Sequence, residues 1–276
     1  MPSPDPPHNA RAFDAVARAY DAVFTETAVG SAQRQRVWQA LAPWMADPAT
    51  QRILELNCGT GADACWLAQQ GKTVVATDIS PEMLGLLREK AAAQGLQTRV
   101  QASVCAIEQL RSDPLVLQHA PYDMVFSNFG GLNCLSDNAL RDFRGDLDAL
   151  LRPGGMLILV VMSRFCPWET LYFLLKGDLR RATRRWGRQA VEGRLDAQNT
   201  VPTWYYGPAD LRRLFDGYTP RALRPVGFWL PPSYLDPFFK RWPAALRSLD
   251  FLEKNAAPAA LAAASDHYFL GLRKGA

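Results

Sequence analysis

Histidine occurs three times and cysteine five times in 276 residues, and each scarcity excludes a chemistry. Cys58, Cys65, Cys105, Cys134 and Cys166 are scattered, odd in number and free of any CxxC pair. A Cys/His zinc site is therefore not expected, nor any other metal, and the set reads as reduced intracellular thiols. Long apolar runs are missing too. The longest, MLILVVM at 156–162, is far short of the roughly 20 residues that cross a bilayer. The start, PSPDPPHNARAFD, has no basic segment followed by an apolar one, so no signal peptide is expected and the location reads as cytoplasmic. Charge of one sign is scarce as well. The 31 basic and 27 acidic residues leave +4, which says little about partners unless it is localised. Glycine and proline, at 19 and 20 residues, are too few for a fibrous or mostly disordered chain.

What is present is a globular composition, 48% hydrophobic, in a chain long enough to bury roughly three quarters of its unfolded surface. Residues 1–9 read as a disordered, Pro-rich tail, and 10–50 as a helical cover carrying Phe13, Ala17, Tyr20 and Phe24, then Val37, Leu41 and Trp44, at helical spacing. From 51 to 162 the period changes repeatedly. Short apolar strands are expected at 52–57, 73–78, 99–103, 122–128 and 156–162, with helices over 61–71, 81–95 and 138–150 and a turn at RPGG, 152–155. Ser80 reads as a helix N-cap with Pro81 at the first helical position. Strands apolar on both faces and alternating with helices specify a mainly parallel α/β sheet covered on two sides. Residues 163–250 break the pattern and read as an insertion that also holds a core helix near 208–216 and a strand near 221–230. Residues 251–276 return to the sheet with a strand at 265–274, which makes seven strands.

The sharpest feature is ILELNCGTGADACWLAQQG followed by VVATDIS. Gly59 and Gly61 lie in the turn between the first strand and the next helix, where glycine lets the backbone approach a ligand and offer its amides. Asp78, 17 residues beyond Gly61, ends the second strand, where a carboxylate can accept hydrogen bonds from both hydroxyls of a ribose. No Gly-Lys-Ser/Thr follows, so this is not a P-loop, and the run is NxGxG rather than the GxGxxG of dinucleotide sites. Glu55 and Asp63 beside the turn disfavour a pyrophosphate. They do not disfavour a cationic cofactor.

ELNCGTG resembles the glycine-rich motif of class I S-adenosylmethionine-dependent methyltransferases, with Asn57 in place of the motif's first glycine. YDMVFSNFGGLNCL and LLRPGGMLILVV resemble the fourth- and fifth-strand motifs of the same superfamily. Residues 10–162 as a whole are similar to its small-molecule branch, including the quinone-biosynthesis type. The resemblance implies a Rossmann-like fold and S-adenosyl-L-methionine as cofactor, with S-adenosyl-L-homocysteine as product. It also implies a cofactor set. Glu55, Gly59 and Gly61 are expected at the methionine moiety, Asp78 on the ribose and Ile79 by the adenine, with Asn57 and Met83 also in the set. Asn128 and Phe129 are expected near the sulfonium. Family members often carry an acidic adenine ligand after strand three. Ser103 and Val104 stand there, so that contact is expected to be weaker or backbone-made. Tyr20, in ARAYD, resembles an N-terminal tyrosine that closes over the cofactor.

Methyl transfer from a sulfonium is an in-line displacement, in which a protein chiefly excludes water and holds near-attack geometry. An acceptor phenol or amine needs at most one proton removed. His119 precedes a strand, away from the crevice, and His267 lies inside one, so Glu169, Tyr205 and Tyr206 are the candidate catalytic groups. Phe129, Trp168, Tyr172, Trp204 and Trp229 are the candidate acceptor contacts, and with Phe228 and Tyr234 they favour an aromatic or apolar acceptor over a highly anionic one. Oxygen is favoured over nitrogen or carbon on family frequency. Lys176, Arg180, Arg181, Arg184, Arg185 and Arg188 are spaced as a basic stripe on a helix. Such a stripe is a solvated face, or a surface for an acidic portion of the substrate, a carrier protein or an anionic membrane. Nucleic acid is disfavoured, and a monomer or homodimer is expected. A nucleotide-cofactor oxidoreductase and a non-catalytic cofactor-binding protein are the alternative readings.

Overall fold

Adjacent residues in the central strands are both apolar, and they feed two separate cores. The computed structural model describes residues 8–275, so residues 1–7 of the expected tail lie outside the described part. Residues 8 and 9 already begin the first helix. The parallel strands are Arg52–Leu56 (β1), Thr73–Asp78 (β2), Val100–Val104 (β3), Tyr122–Ser127 (β4) and Leu151–Met162 (β5). Side chains alternate across a strand, so Ile53, Met124 and Ile158 join one core while Leu54, Val125 and Leu157 join the other. Fully burying one such side chain contributes about 1.5–3 kcal/mol.

The helices that cover the sheet follow from the same pattern. His8–Tyr20 (α1), Ala28–Met45 (α2), Ala62–Gln69 (α3), Pro81–Ala93 (α4), Pro114–His119 (α5) and Asp137–Leu150 (α6) accompany the five parallel strands. Val37 and Leu41 of α2, Leu67 of α3 and Leu87 of α4 pack on one face, and Leu140, Phe143 and Leu147 of α6 on the other. Ser80 caps α4 as expected, its hydroxyl accepting from the Met83 amide at 3.1 Å. Beyond β5 come Pro167–Leu175 (α7), Leu179–Ala182 (α8), the hairpin strands Val191–Arg194 (β6) and Thr200–Thr203 (β7), and Pro208–Leu214 (α9). Then follow Tyr218–Val226 (β8), Asp236–Phe239 (α10), Pro243–Asn255 (α11) and His267–Lys274 (β9). The sheet runs β3-β2-β1-β4-β5-β9-β8, with β9 antiparallel to both neighbours. It is the seven-stranded, mainly parallel sheet with an insertion after strand five that the strand count implies.

Three local readings change. The helical stretch 10–44 is broken by a π-helical turn, Asp21–Thr25, and Thr27 caps a fresh helix by accepting from the Gly30 amide at 3.0 Å. The RPGG turn is absorbed into β5, where the β4–β5 register shifts between Tyr122 and Met124. The hairpin β6–β7 was not foreseen, because VEGR and TVPT have almost no apolar alternation. Only its tip is legible: Asp196 Oδ1 accepts from the amides of Gln198 and Asn199, both at 2.7 Å.

Gly61 is required twice over. Its φ is +78°, and a Cβ there would come within 2.4 Å of Leu87 Cγ on α4. Left-handed strain and overpacking together lead us to expect Gly61→Ala to cost about 2–4 kcal/mol. Urea denaturation measures it, and a loss under about 1 kcal/mol would show that α4 yields to the extra methyl group.

Candidate functional site

The strand-to-helix turn after β1 is built from left-handed residues. Asn57, Gly59 and Gly61 have φ of 51°, 54° and 78°, and Asn is among the few side chains that tolerate this region. The turn folds back so that Gly59 donates its amide to Asp78 Oδ2 at 2.9 Å, while Ser80 donates to Oδ1 at 2.9 Å. Burial raises the Asp78 carboxyl pKa, and those amide bonds oppose the rise. A carboxylate has roughly four acceptor positions, so two remain for a ligand's hydroxyls. Glu55 lies under the turn, 1% exposed, with Oε2 unpartnered. Burial first, and then the charge of Asp63, push its pKa well above the ordinary value.

The cover is tied to this turn by polar side chains. Arg34 of α2 is ion-paired with Asp63 of α3, which also accepts from Trp38 Nε1 at 2.7 Å and Asn128 Nδ2 at 2.9 Å. The Arg34 guanidinium lies 4.9 Å from the Phe129 ring centroid and 5.8 Å from that of Phe24. On the other side, Thr60 donates to Asp21 at 2.6 Å, Lys90 reaches Asp21 at 2.5 Å, and Ser80 donates to Asp14 at 2.5 Å. These contacts revise the charge argument from sequence. Asp63 is paired with Arg34 and Glu55 is driven toward its neutral form, so Asp78 is the carboxylate that the cavity itself exposes among its described lining residues.

One cavity of about 440 Å³ opens between the strand ends, the cover and the insertion. Tyr20, Asn57, Gly59, Asp78, Ile79, Met83, Asn128 and Phe129 line the end at the glycine turn, where the cofactor is expected. Met162, Phe173, Tyr205 and Tyr234 line the far end together with Arg181, Arg184 and Arg194. Burial pushes the Tyr20 phenol up to about 12, so it meets a ligand as a neutral hydrogen-bonding group. Asn133 aligns the two ends. It accepts from the Met162 amide at 2.8 Å and donates to the Trp204 carbonyl at 2.6 Å, which sets Tyr205 beside the end of β5.

Several expected contacts lie elsewhere. Gly61 and Glu55 underlie the turn rather than line the cavity. Ser103 donates to Asp113 at 2.6 Å and Val104 is exposed. Tyr206 is buried, its hydroxyl donating to the Leu135 carbonyl at 2.6 Å. Trp168 packs with Phe239 and donates to the Phe228 carbonyl, Trp229 donates to the Ala256 carbonyl, and Trp204 packs against the main core. Tyr172 stands behind the wall, its ring against Phe173 and Tyr234.

Glu169 is the clearest correction. It is 2% exposed and gripped by two guanidiniums, Arg184 at 2.8 and 2.9 Å and Arg185 at 3.0 and 2.7 Å. Arg185 also reaches Asp266 Oδ1 at 2.9 Å. Burial would raise the Glu169 pKa, but Arg185 and Arg184 outweigh it and hold it below the usual value. A carboxylate so committed is a poor proton acceptor and does not touch the cavity. The basic stripe is corrected with it: α8 is a single turn, Arg185 is buried, and Arg184 points inward. Arg181, Arg184, Arg194, Phe173 and Met162 are among the lining residues that the sequence does not announce as a site. The first two were read as a helix face, and Arg194 lies on the unforeseen hairpin.

This strand order, with a glycine turn after β1 and an acid ending β2, is the class I S-adenosylmethionine-dependent methyltransferase fold. Residues 53–155 match the model of a family described as a methyltransferase domain. The chain is 34% identical over 154 residues to a demethylmenaquinone methyltransferase of Clavibacter sepedonicus, covering 55% of this chain and 56% of that one. It is 28% identical over 152 residues to the tRNA 5-carboxymethoxyuridine methyltransferase of Escherichia coli K12, covering 54% and 56%. The chain thus matches about half the length of these curated relatives. Their named substrates differ. A solved magnesium protoporphyrin IX methyltransferase from Synechocystis PCC 6803, with bound S-adenosylhomocysteine, superposes with a TM-score of 0.60 at 14% identity, covering 97% of this chain and 98% of that one. Among the described residues no helix is long and apolar enough to cross a membrane.

The carboxylate cluster makes stability depend on pH. Glu169 and Asp266 both have depressed pKa values, so their contribution is full above the unfolded carboxylate range and is lost as pH falls through the folded values. Glu169→Gln is expected to destabilise at neutral pH by about 3–5 kcal/mol, because it leaves two guanidiniums underpaired. Its stability should also fall less between neutral pH and pH about 3 than the parent's. Urea midpoints at both pH values test this, and parallel losses would remove the cluster from the pH response.

Proposed function

We propose that the chain transfers a methyl group from S-adenosylmethionine to a small molecule. The observation that carries this reading is the single cavity that joins Asp78 and the glycine turn to an aromatic wall supplied by the insertion. The residues fit the cofactor. Asp78 has acceptor positions left for two ribose hydroxyls, Ile79 and Met83 offer an apolar slot for a purine, and the unpartnered Asn57 Oδ1 is a free acceptor at the turn. When bound, S-adenosylmethionine supplies an electrophilic methyl group on sulfur.

The chain's own work is then positional. Tyr20 and Phe129 enclose the ligand and exclude water, and the tethered cover holds them in place. Tyr205 is buried at the acceptor end, and burial raises its pKa, so it suits a donor or orienting role better than that of a base. With Glu169 committed to arginines, acceptors needing little deprotonation are favoured. We retain oxygen as the acceptor atom, on family frequency rather than on any one residue. The quinone-biosynthesis type draws support from the relative named a demethylmenaquinone methyltransferase, but the family match lies in the cofactor half and bears little on the acceptor.

Asp78→Ala is expected to weaken S-adenosylhomocysteine binding by about 1–3 kcal/mol, the scale for losing a charge-assisted hydrogen-bond partner. Titration calorimetry reads this, and an unchanged affinity would remove Asp78 from the cofactor site. Methyl-labelled S-adenosylmethionine incubated with a metabolite extract of the producing cell should label a small organic product. Cofactor binding with no labelled product would favour a non-catalytic role.

A further inference from the structure

The two ends of the cavity carry opposite charge. Among its described lining residues Asp78 is the one carboxylate, and it belongs to the cofactor end. The acceptor end has three guanidiniums from two segments: Arg181 and Arg184 on α8 and the turn that continues it, and Arg194 on β6. Because the hairpin brings Arg194 to the same wall, the three are not simply one solvated helix face. The fold converges them on one wall.

They converge in a prepared state. Glu169 grips the Nε and Nη2 edge of Arg184, which leaves the Nη1 edge for a ligand. Arg181 is steadied by Asp178, with Nε 3.3 Å from Oδ2, and Arg194 by the Ala197 carbonyl at 3.3 Å. Glu169 and Asp178 orient the guanidiniums from outside the lining, so the cavity meets the donors and not the carboxylates. The Phe173 ring lies beside them, 5.6 Å from Arg181 and 5.9 Å from Arg184, and Tyr205 and Tyr234 continue the aromatic surface. A planar guanidinium fork matches an oxyanion in two-point geometry, and an adjacent aromatic wall supplies the apolar contact.

We infer that the acceptor is an amphiphilic anion. Its aromatic or apolar body rests on Phe173, Tyr205 and Tyr234, and a carboxylate or other oxyanion group is held by Arg181, Arg184 and Arg194. This inference rests on the methyl-transfer reading above and deepens it. The aromatic acceptor expected from sequence is kept, while the preference for an uncharged one is reversed.

The test uses two fluorescent probes that share one ring system, 8-anilinonaphthalene-1-sulfonate and the neutral N-phenyl-1-naphthylamine, titrated into the protein loaded with S-adenosylhomocysteine. The parent should prefer the sulfonate. In Arg181→Gln/Arg194→Gln, whose altered side chains are exposed enough to spare the fold, sulfonate affinity should fall roughly tenfold. Binding of the neutral probe should change less than about twofold. Arg180→Gln, a neighbouring charge outside the lining, should leave both probes within about twofold of the parent. Equal losses for both probes, no loss for the sulfonate, or an equal loss from Arg180→Gln would each overturn the inference. Calorimetry with S-adenosylhomocysteine on the parent separates the two claims. A protein that binds the cofactor product without favouring the sulfonate defeats this inference alone, whereas one that fails to bind it defeats the methyl-transfer reading as well.

Discussion

Asp63 is the side chain on which the cofactor end depends. It lies in the first turn of α3, directly after the left-handed glycine turn, and collects three donors from two elements: Arg34 and Trp38 of α2, and Asn128 at the end of β4. The cover is thereby fastened to the turn that it must enclose. Arg34 in its turn lies between Phe24 and Phe129, so the aromatic that borders the cavity is set by the same ion pair. Removing one partner of a buried pair is costly because the other stays buried and uncompensated. A buried pair gives modest net stability but a well-defined arrangement, and here the arrangement is what a ligand would meet.

The cofactor half was legible because its determinants are local. Apolar pairs such as Ile53–Leu54 and Leu157–Ile158 announce a strand buried on both sides. Gly59, Gly61 and Asp78 announce the turn and its acidic partner within some twenty residues. Ser80 and Pro81 announce a helix start. The charge balance of the site was not legible. Glu55 and Asp63 read as two anions, yet one is driven toward neutrality by burial and the other is paired with an arginine 29 positions away. Burial and long-range pairing decide a carboxylate's state, and neither is written in its neighbours.

The acceptor half illustrates the converse. Its wall is drawn from β5, α7, α8, the hairpin and the segment before α10, elements too short or too polar to declare a period. Spacing alone assigned Arg180 to Arg188 to a helix face, but Asp266 and Glu169, 81 and 16 positions from Arg185, pull that arginine inward and end the stripe. The aromatics divided in the same way. Trp168 and Trp229 found partners for their ring N–H groups in backbone carbonyls and Trp204 packed against the main core, while the less conspicuous Phe173 and Tyr234 reached the cavity.

Opposite charge at the two ends of one cavity also bears on orientation. A ligand with an anionic group is repelled from the Asp78 end and drawn to the guanidinium wall, and in a partly dehydrated site such terms count for more than in water. Its remaining, apolar or nucleophilic, portion is then turned toward the cofactor end. For a reaction whose barrier is largely one of alignment, this directional constraint contributes where a general base is not required. In the proposed reaction the guanidinium wall would hold the acceptor and Asp78 the cofactor, each disfavouring the other's ligand and leaving the reacting atoms between them.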